Sequence, residues 1–383
     1  MLKPLEYKAK EWCMYLNFQG VKDLMDQAVN EHGVPCSEIA ISYCGAPVYR
    51  YRNGTRDDNA FLHLEGDELY YIYSETKPVT AVAILQLYEN KQLDLDDPVS
   101  IYLSEYAHMQ VKTPSGLRPS VQPITIRHLL TMTSGLNYNC TAPGLIEQAK
   151  KHPNSSTRDL VRAIALEPLE FDPGSHFMYS LSHDVLGAVI EIVSGKSLGA
   201  YMRQNIFDVC GMNRTGFSND DSIKASMCSQ FLHDLHTHKS YPIPKENSFV
   251  FTPAYESGGA GLISCVDDYF RFVTELANGE KLLRRETIDL MRVDHLRPAA
   301  FRDFQQCKAP YSYGLGVRTA AGTILPNKGE FGWDGAAGAY CLIDPDRKLA
   351  ISYFTHVLNH GQYLYSQLHP ALRDAVYHAI SAL

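Results

Sequence analysis

No block of five like charges occurs in the 383 residues, and the net charge is only −8. Nucleic-acid faces and polybasic membrane anchors need clustered Lys and Arg, so neither kind of partner is expected. No stretch approaches the ~18 uninterrupted apolar residues of a spanning helix. The N-terminal MLKPLEYKAKEWCMYLNF is dotted with Lys and Glu and lacks the apolar core of a signal peptide. The nine cysteines are scattered, with no C-x-x-C and no regular spacing. An odd count without a secretion signal reads as reduced thiols in a cytoplasm, so a cytoplasmic location is expected. Internal repeats and low-complexity segments are also missing. What remains is ordinary globular material, 45% hydrophobic and 20% charged, long enough for two or three domains with a large core.

Residues 18–32 place Val21, Leu24, Met25 and Val29 at helical spacing. EIAISYCGAPVYRYRNG then alternates around a Cys-Gly-Ala-Pro turn and reads as a β-hairpin. A helical run follows from Ser74 to about Asn90, closed off by Leu95-Asp96-Asp97-Pro98. TIRHLLTMTSGL (Thr125 to Leu136) reads as a short helix ended by Gly135. Asp184 to Val193 reads as an apolar helix stopped by Ser194-Gly195, followed by a helix from Leu198 to about Val209. From about Tyr311, YSYGLGVRT, EFGWDGAAGAYCLID and KLAISYFTH are short β-like runs, and a last helix covers about Ser366 to Ile380. The pattern predicts an α+β fold. Residues 1–80 and 250–383 build a sheet domain, and 81–249 form an inserted, mostly helical lobe. The cleft between them is the expected place for a site.

Ser74-Glu75-Thr76-Lys77 is an S-x-x-K at a helix start. Residues three apart share one helical face, so the lysine stands one turn from the serine. A serine hydroxyl is a poor nucleophile until a neighbouring group takes its proton, and a partly desolvated lysine can do so. The helix N-terminus adds N–H groups suited to a developing oxyanion. Alone, the same pair is also what a capping serine and a solvated lysine look like. Two further features accompany it: Tyr179-Ser180-Leu181 after FDPGSHFM, and Phe331-Gly332-Trp333-Asp334-Gly335 opening a late β-run.

In that order these motifs resemble the class C β-lactamase and penicillin-binding serine hydrolase superfamily, and most closely the family VIII carboxylesterases. ITIRHLLTMTSGL, YSLSHDVLGAVIEIVSG and ESGGAGLIS fit the same pattern, and the resemblance runs from about Val21 to His356. It implies an antiparallel sheet flanked by helices, and an acyl-enzyme on Ser74. Lys77 would help deprotonate the serine, and Tyr179 would face both as proton relay. The strand at Trp333, Asp334 and Gly335 would line one wall, with the N–H groups of Ser74 and Ala336 as oxyanion hole and the neighbouring glycines letting substrate approach the strand backbone closely. Which of Lys77 and Tyr179 is the acylation base stays open, as does the oligomeric state. Nucleophile, base and oxyanion donors all come from the chain, so no metal or organic cofactor is expected. The expected partner is a small-molecule acyl substrate.

The chain also departs from the lactamase pattern. Leu181 stands where the tyrosine motif ends in Asn, and Trp333-Asp334-Gly335 where lactamases carry Lys-(Thr/Ser)-Gly. An aspartate facing the cleft would repel a lactam's carboxylate, and Leu181 would add an apolar patch. The expected function is therefore cleavage of ester or related acyl bonds. The rivals are a β-lactamase or D-alanyl peptidase, and a catalytically silent scaffold. Gly195-Lys196-Ser197-Leu198-Gly199 matches the G-x-S-x-G elbow, but that elbow needs a strand before its serine and here a helix precedes. His233, His236 and His238 read as a polar hairpin, and His183 as helix-start polarity beside Asp184.

Overall fold

The strand-forming run CSEIAISY is buried along almost its whole length, as happens when a strand is covered on both faces. In the computed structural model, which describes residues 16–57, 62–217 and 220–381, it is β1 (Cys36–Tyr43). It pairs with β2 (Ala46–Gly54) across Cys44-Gly45, both at positive φ as tight hairpin turns require. Five more strands come from the end of the chain: β3 (Ser312–Tyr313), β4 (Arg318–Thr319), β5 (Phe331–Asp334), β6 (Tyr340–Asp344) and β7 (Leu349–Phe354). Every pairing is antiparallel and the order is β2-β1-β7-β6-β5-β4-β3. The expected α+β architecture is thus observed, with a sheet built from sequence-distant parts of the chain.

Six helices support the site: α1 (Gln19–Glu31), α2 (Thr76–Glu89), α3 (Ser182–Ser194), α4 (Val266–Asn278), α5 (Pro298–Lys308) and α6 (His369–Ser381). Strand alternation sorts the sheet's side chains between two layers. Ile39, Ile41, Leu342, Ile351 and Tyr353 share one core with Val21 and Met25 of α1 and Leu372 and Val376 of α6. Ala40, Cys341, Ile343, Ala350 and Phe354 share the other with Tyr269, Phe272 and Val273 of α4. That second core continues into α2, whose residues from Thr76 to Leu87 are all buried. A helix buried on every side has no solvent face to present, and α2 runs through the interior against α3.

Boundaries differ from expectation in one telling place. The helix opening at Ile126 ends at Leu130 rather than continuing to Leu136, because Met132 adopts a left-handed conformation (φ 56°). The hairpin expected around the histidines forms from Gln230–Asp234 and Lys239–Ile243. Its first strand also pairs with Val357–Leu358, and His233 Nδ1 lies 3.1 Å from Ser240 Oγ. Among the described residues no group of three or more His, Cys, Asp or Glu is placed to hold a metal. The eight described cysteines are free thiols, and Cys13 lies outside the described residues.

Two tight features fix where α2 begins. A Cβ on Gly335, just past β5, would stand 2.3 Å from the Ile72 carbonyl oxygen, so only glycine lets the late strand approach that turn. Behind the turn, Glu75 is fully buried and accepts a hydrogen bond of 2.6 Å from Tyr269 of α4. Burial pushes its carboxyl up to about 8, with the Tyr269 bond pulling the other way.

Gly335→Ala should therefore cost about 1–3 kcal/mol in urea unfolding, the range for overpacking a close-packed core; a variant as stable as the parent would mean the turn yields freely. Glu75 sets a pH dependence. Between its ordinary value of 4.5 and about 8, the native state holds a proton that the unfolded chain has released, so stability falls as pH rises through that window. Glu75→Gln has no such proton, and its stability relative to the parent should grow from pH 5 to pH 8. Parallel stability profiles for the two proteins would contradict the buried neutral carboxyl.

Candidate active site

The chain enters the site on a short strand, Tyr70–Tyr71, paired with Ile263–Ser264. It then turns through Tyr73–Glu75 into α2. Tyr73 sits at φ 48°, an unfavourable conformation for a bulky residue, held by the packing around it. The turn presents Ser74 at the helix entrance, 9% exposed. One helical turn on, Lys77 has no exposed surface, and its Nζ donates to Ser74 Oγ at 3.2 Å and to the Gly259 carbonyl at 2.7 Å. The expected serine–lysine pair is assembled.

Gly259 is itself held in place by a residue the sequence did not single out. Asp184, in the first turn of α3, is buried and accepts from Tyr255 Oη and Ser257 Oγ, each at 2.6 Å, and from the Gly259 N–H at 3.4 Å. A Cβ on Gly259 would lie 2.6 Å from Asp184 Oδ2, so glycine is what permits the approach. The carboxylate thus organises the Ser257–Gly261 loop, whose carbonyl orients Lys77. Next to it His183 is wholly buried with neither ring nitrogen bonded, and burial pushes its ring well below the ordinary value. It stands at the helix start beside Asp184 as expected, but as a buried core residue.

Tyr179 comes to the same place from the segment just before α3. Its ring lies 4.6 Å from Lys77 Nζ, a cation–π approach, and stacks parallel on Tyr138 at 5.4 Å. Its hydroxyl accepts the Trp333 indole N–H at 3.2 Å. Trp333 stacks on Tyr179 and meets Tyr313 edge-on, so the four rings form one continuous wall. Lys77, not Tyr179, is the group bonded to Ser74 Oγ. Trp333 therefore orients the tyrosine hydroxyl, a role distinct from the plain wall contact expected of it.

These residues border a cavity of about 640 Å³ lined by Ser74, Phe177, Tyr179, Phe304, Trp333, Ala336 and Tyr365 among others. One wall is α5, whose Asp303, Phe304, Gln306, Cys307 and Lys308 all reach it. Sequence reading missed this helix, although Pro298 at its first turn and Lys308 at its end are ordinary start and stop signals. Asp334 lines the cavity as expected, but it does not stand there as a bare anion. Its carboxylate is bonded by Lys308 Nζ (2.7 Å), Arg318 (3.3 Å) and His369 Nδ1 (2.9 Å). Burial alone would raise its pKa, but Lys308 and Arg318 hold it well below the usual carboxylate range. The expected repulsion of anions by Asp334 is therefore cancelled.

Two other expectations need correcting. Leu181, 4% exposed, caps the start of α3 and packs into the core rather than onto the cavity. Its neighbours Ser180 and Ser182 bond to each other, so the segment is pinned from both sides. Gly335 is small for the sake of the Ile72 contact, not of substrate. The G-x-S-x-G serine is also accounted for: Gly195 ends α3 at φ 70°, and Ser197 Oγ caps the next helix by accepting from the Ala200 N–H at 3.2 Å.

Comparison with known proteins follows the same lines. Residues 21–366 match the family model described as Beta-lactamase. The chain is 30% identical over 384 residues to Esterase EstB of Burkholderia gladioli, covering 92% of this chain and 93% of that one. It is 30% identical over 245 residues to a lovastatin esterase of Penicillium rubens, 61% of each chain. Among solved structures, EstCE1, a hydrolase with promiscuous acyltransferase activity, has a TM-score of 0.78 at 25% identity, over 94% of this chain and 98% of that one. The matched span takes in the turn at Ser74, Tyr179 and the late strand, and this chain belongs to the β-lactamase family.

Proposed function

We infer that the protein is a serine hydrolase that cleaves esters of small acyl groups through an acyl-enzyme on Ser74. The observation that carries this is the buried Lys77 Nζ, 3.2 Å from Ser74 Oγ at the mouth of an aromatic cavity. Ser74 Oγ attacks the ester carbonyl carbon as its proton passes to the Lys77 amine. The carbonyl π electrons move to oxygen, and the resulting oxyanion lies between Ser74 and Ala336, whose backbone N–H groups are the donors. Collapse of the intermediate restores the carbonyl and expels the alkoxide, which takes a proton relayed through Lys77 and the Tyr179 hydroxyl. Water then repeats the sequence on the acyl-enzyme and releases the acid. The preference for esters rests on the walls: Phe177, Phe304, Trp333 and Tyr365 suit apolar acyl or alcohol groups. Esterase relatives matched over most of the chain support the same reaction class.

A serine-directed phosphonate should label Ser74, and Ser74→Ala should abolish both labelling and hydrolysis of p-nitrophenyl butyrate. Labelling that survives, or that maps by peptide mass to Ser197, would refute the assignment. Lys77→Ala and Tyr179→Phe should each lower kcat by about 10²–10⁴, the usual share of general acid–base groups. Because the two act as one relay, the double variant should be little slower than the slower single one. Losses that multiply in the double variant would mean that Lys77 and Tyr179 serve separate steps.

A further inference from the structure

The cavity is walled mainly by rings and apolar side chains, yet one ammonium reaches it. Lys308, the last residue of α5, has a side chain 23% exposed, and its Nζ sits 4.4 Å from the Tyr365 ring centre and 5.8 Å from that of Trp333. Its bond to Asp334 suggests at first a plain ion pair. The charges do not balance on that reading. Asp334 already has Arg318 as a buried partner and His369 on its other oxygen. Arg318 cannot leave, since it also donates to the Cys341 carbonyl at 2.8 Å and lies over the faces of Tyr311 and Tyr340. Two cations face one carboxylate, and of these two it is Lys308, not Arg318, that lines the cavity. The other acid on the wall, Asp303, is occupied by His176 at 2.9 Å and the Phe177 N–H at 3.1 Å. The site is also tied to the reaction centre, because Tyr365 Oη donates to the Gly335 carbonyl at 2.9 Å, beside Ala336.

We propose that Lys308 recognises a carboxylate carried by the ester substrate, remote from the bond that is cleaved. An ammonium partly withdrawn from water against ring faces attracts an anion more strongly than a solvated one does. The fold supplies that cation from a helix, while the late strand offers Trp333 and an already satisfied Asp334. This inference rests on the hydrolase reading above and adds the chemical class of the substrate.

The test uses two pairs of esters. In one pair the carboxylate is on the alcohol side, 4-butanoyloxybenzoate against its methyl ester. In the other it is on the acyl side, monophenyl adipate against its methyl ester. The parent enzyme should favour the anionic member of at least one pair by tenfold or more in kcat/KM, and added NaCl should shrink that ratio. Lys308→Gln should reduce the ratio to near one, Lys308→Glu should invert it, and Lys308→Arg should retain most of it. Hydrolysis of both neutral esters with no anionic preference, or a preference that survives Lys308→Glu, would overturn the assignment while leaving the hydrolase reading intact. No Ser74-dependent hydrolysis of any of the four esters would overturn the hydrolase reading itself, and this inference with it. The salt series on the parent protein needs no variant to fold.

Discussion

Lys77 has no exposed surface, and an amine withdrawn from water is costly unless its donors find partners. It has two, Ser74 Oγ and the Gly259 carbonyl, with the faces of Tyr179 and Tyr138 beyond them. Much of the surrounding structure follows from meeting that requirement. The carbonyl must stay put, so the Ser257–Gly261 loop is tied to Asp184 by two hydrogen bonds, with a third from Tyr255 just before it. Tyr179 must keep its ring towards the amine, so its hydroxyl is fixed by Trp333 and its ring is stacked on Tyr138. Water must be kept away from the amine, and α2 accordingly sits in the interior, buried from Thr76 to Leu87.

The parts of this arrangement that were legible in the sequence are those whose geometry is local. Ser74 and Lys77 share a helical face because they are three residues apart, and no other part of the molecule is needed to say so. Gly195 and Ser197 end one helix and start the next by rules that operate within a turn, which is enough to dismiss the elbow-like motif. The hairpin at Cys44-Gly45 and the late β-runs announced themselves through turn residues and alternation. Tyr179 and the late strand were placed by resemblance, since nothing in their own neighbourhood says that they meet Ser74.

What was not legible depends on contacts across the fold. Asp334 looked like a free anion because its partners Arg318, Lys308 and His369 lie 16, 26 and 35 residues away. Leu181 looked like a cleft residue because its position after Tyr179 suggested it, whereas the start of α3 turns its side chain into the core. Asp184 resembled any acid in the first turn of a helix, where the dipole favours negative charge. Only the folded loop shows that it organises the carbonyl partner of Lys77. Gly335 was read as room for substrate, yet its neighbour in space is the Ile72 carbonyl.

The aromatic wall also gives the site an optical signature. The chain has two tryptophans, and Trp333 has its indole N–H on the Tyr179 hydroxyl and the Lys308 ammonium 5.8 Å from its ring. Indole emission is sensitive to nearby charge and to its hydrogen-bond acceptor. Acylation of Ser74, reorientation of the Tyr179 hydroxyl and arrival of a charged group at Lys308 would each alter that environment. The residue that closes the wall is thus a built-in fluorophore for following turnover in real time, with Trp12 replaced by phenylalanine to leave a single emitter.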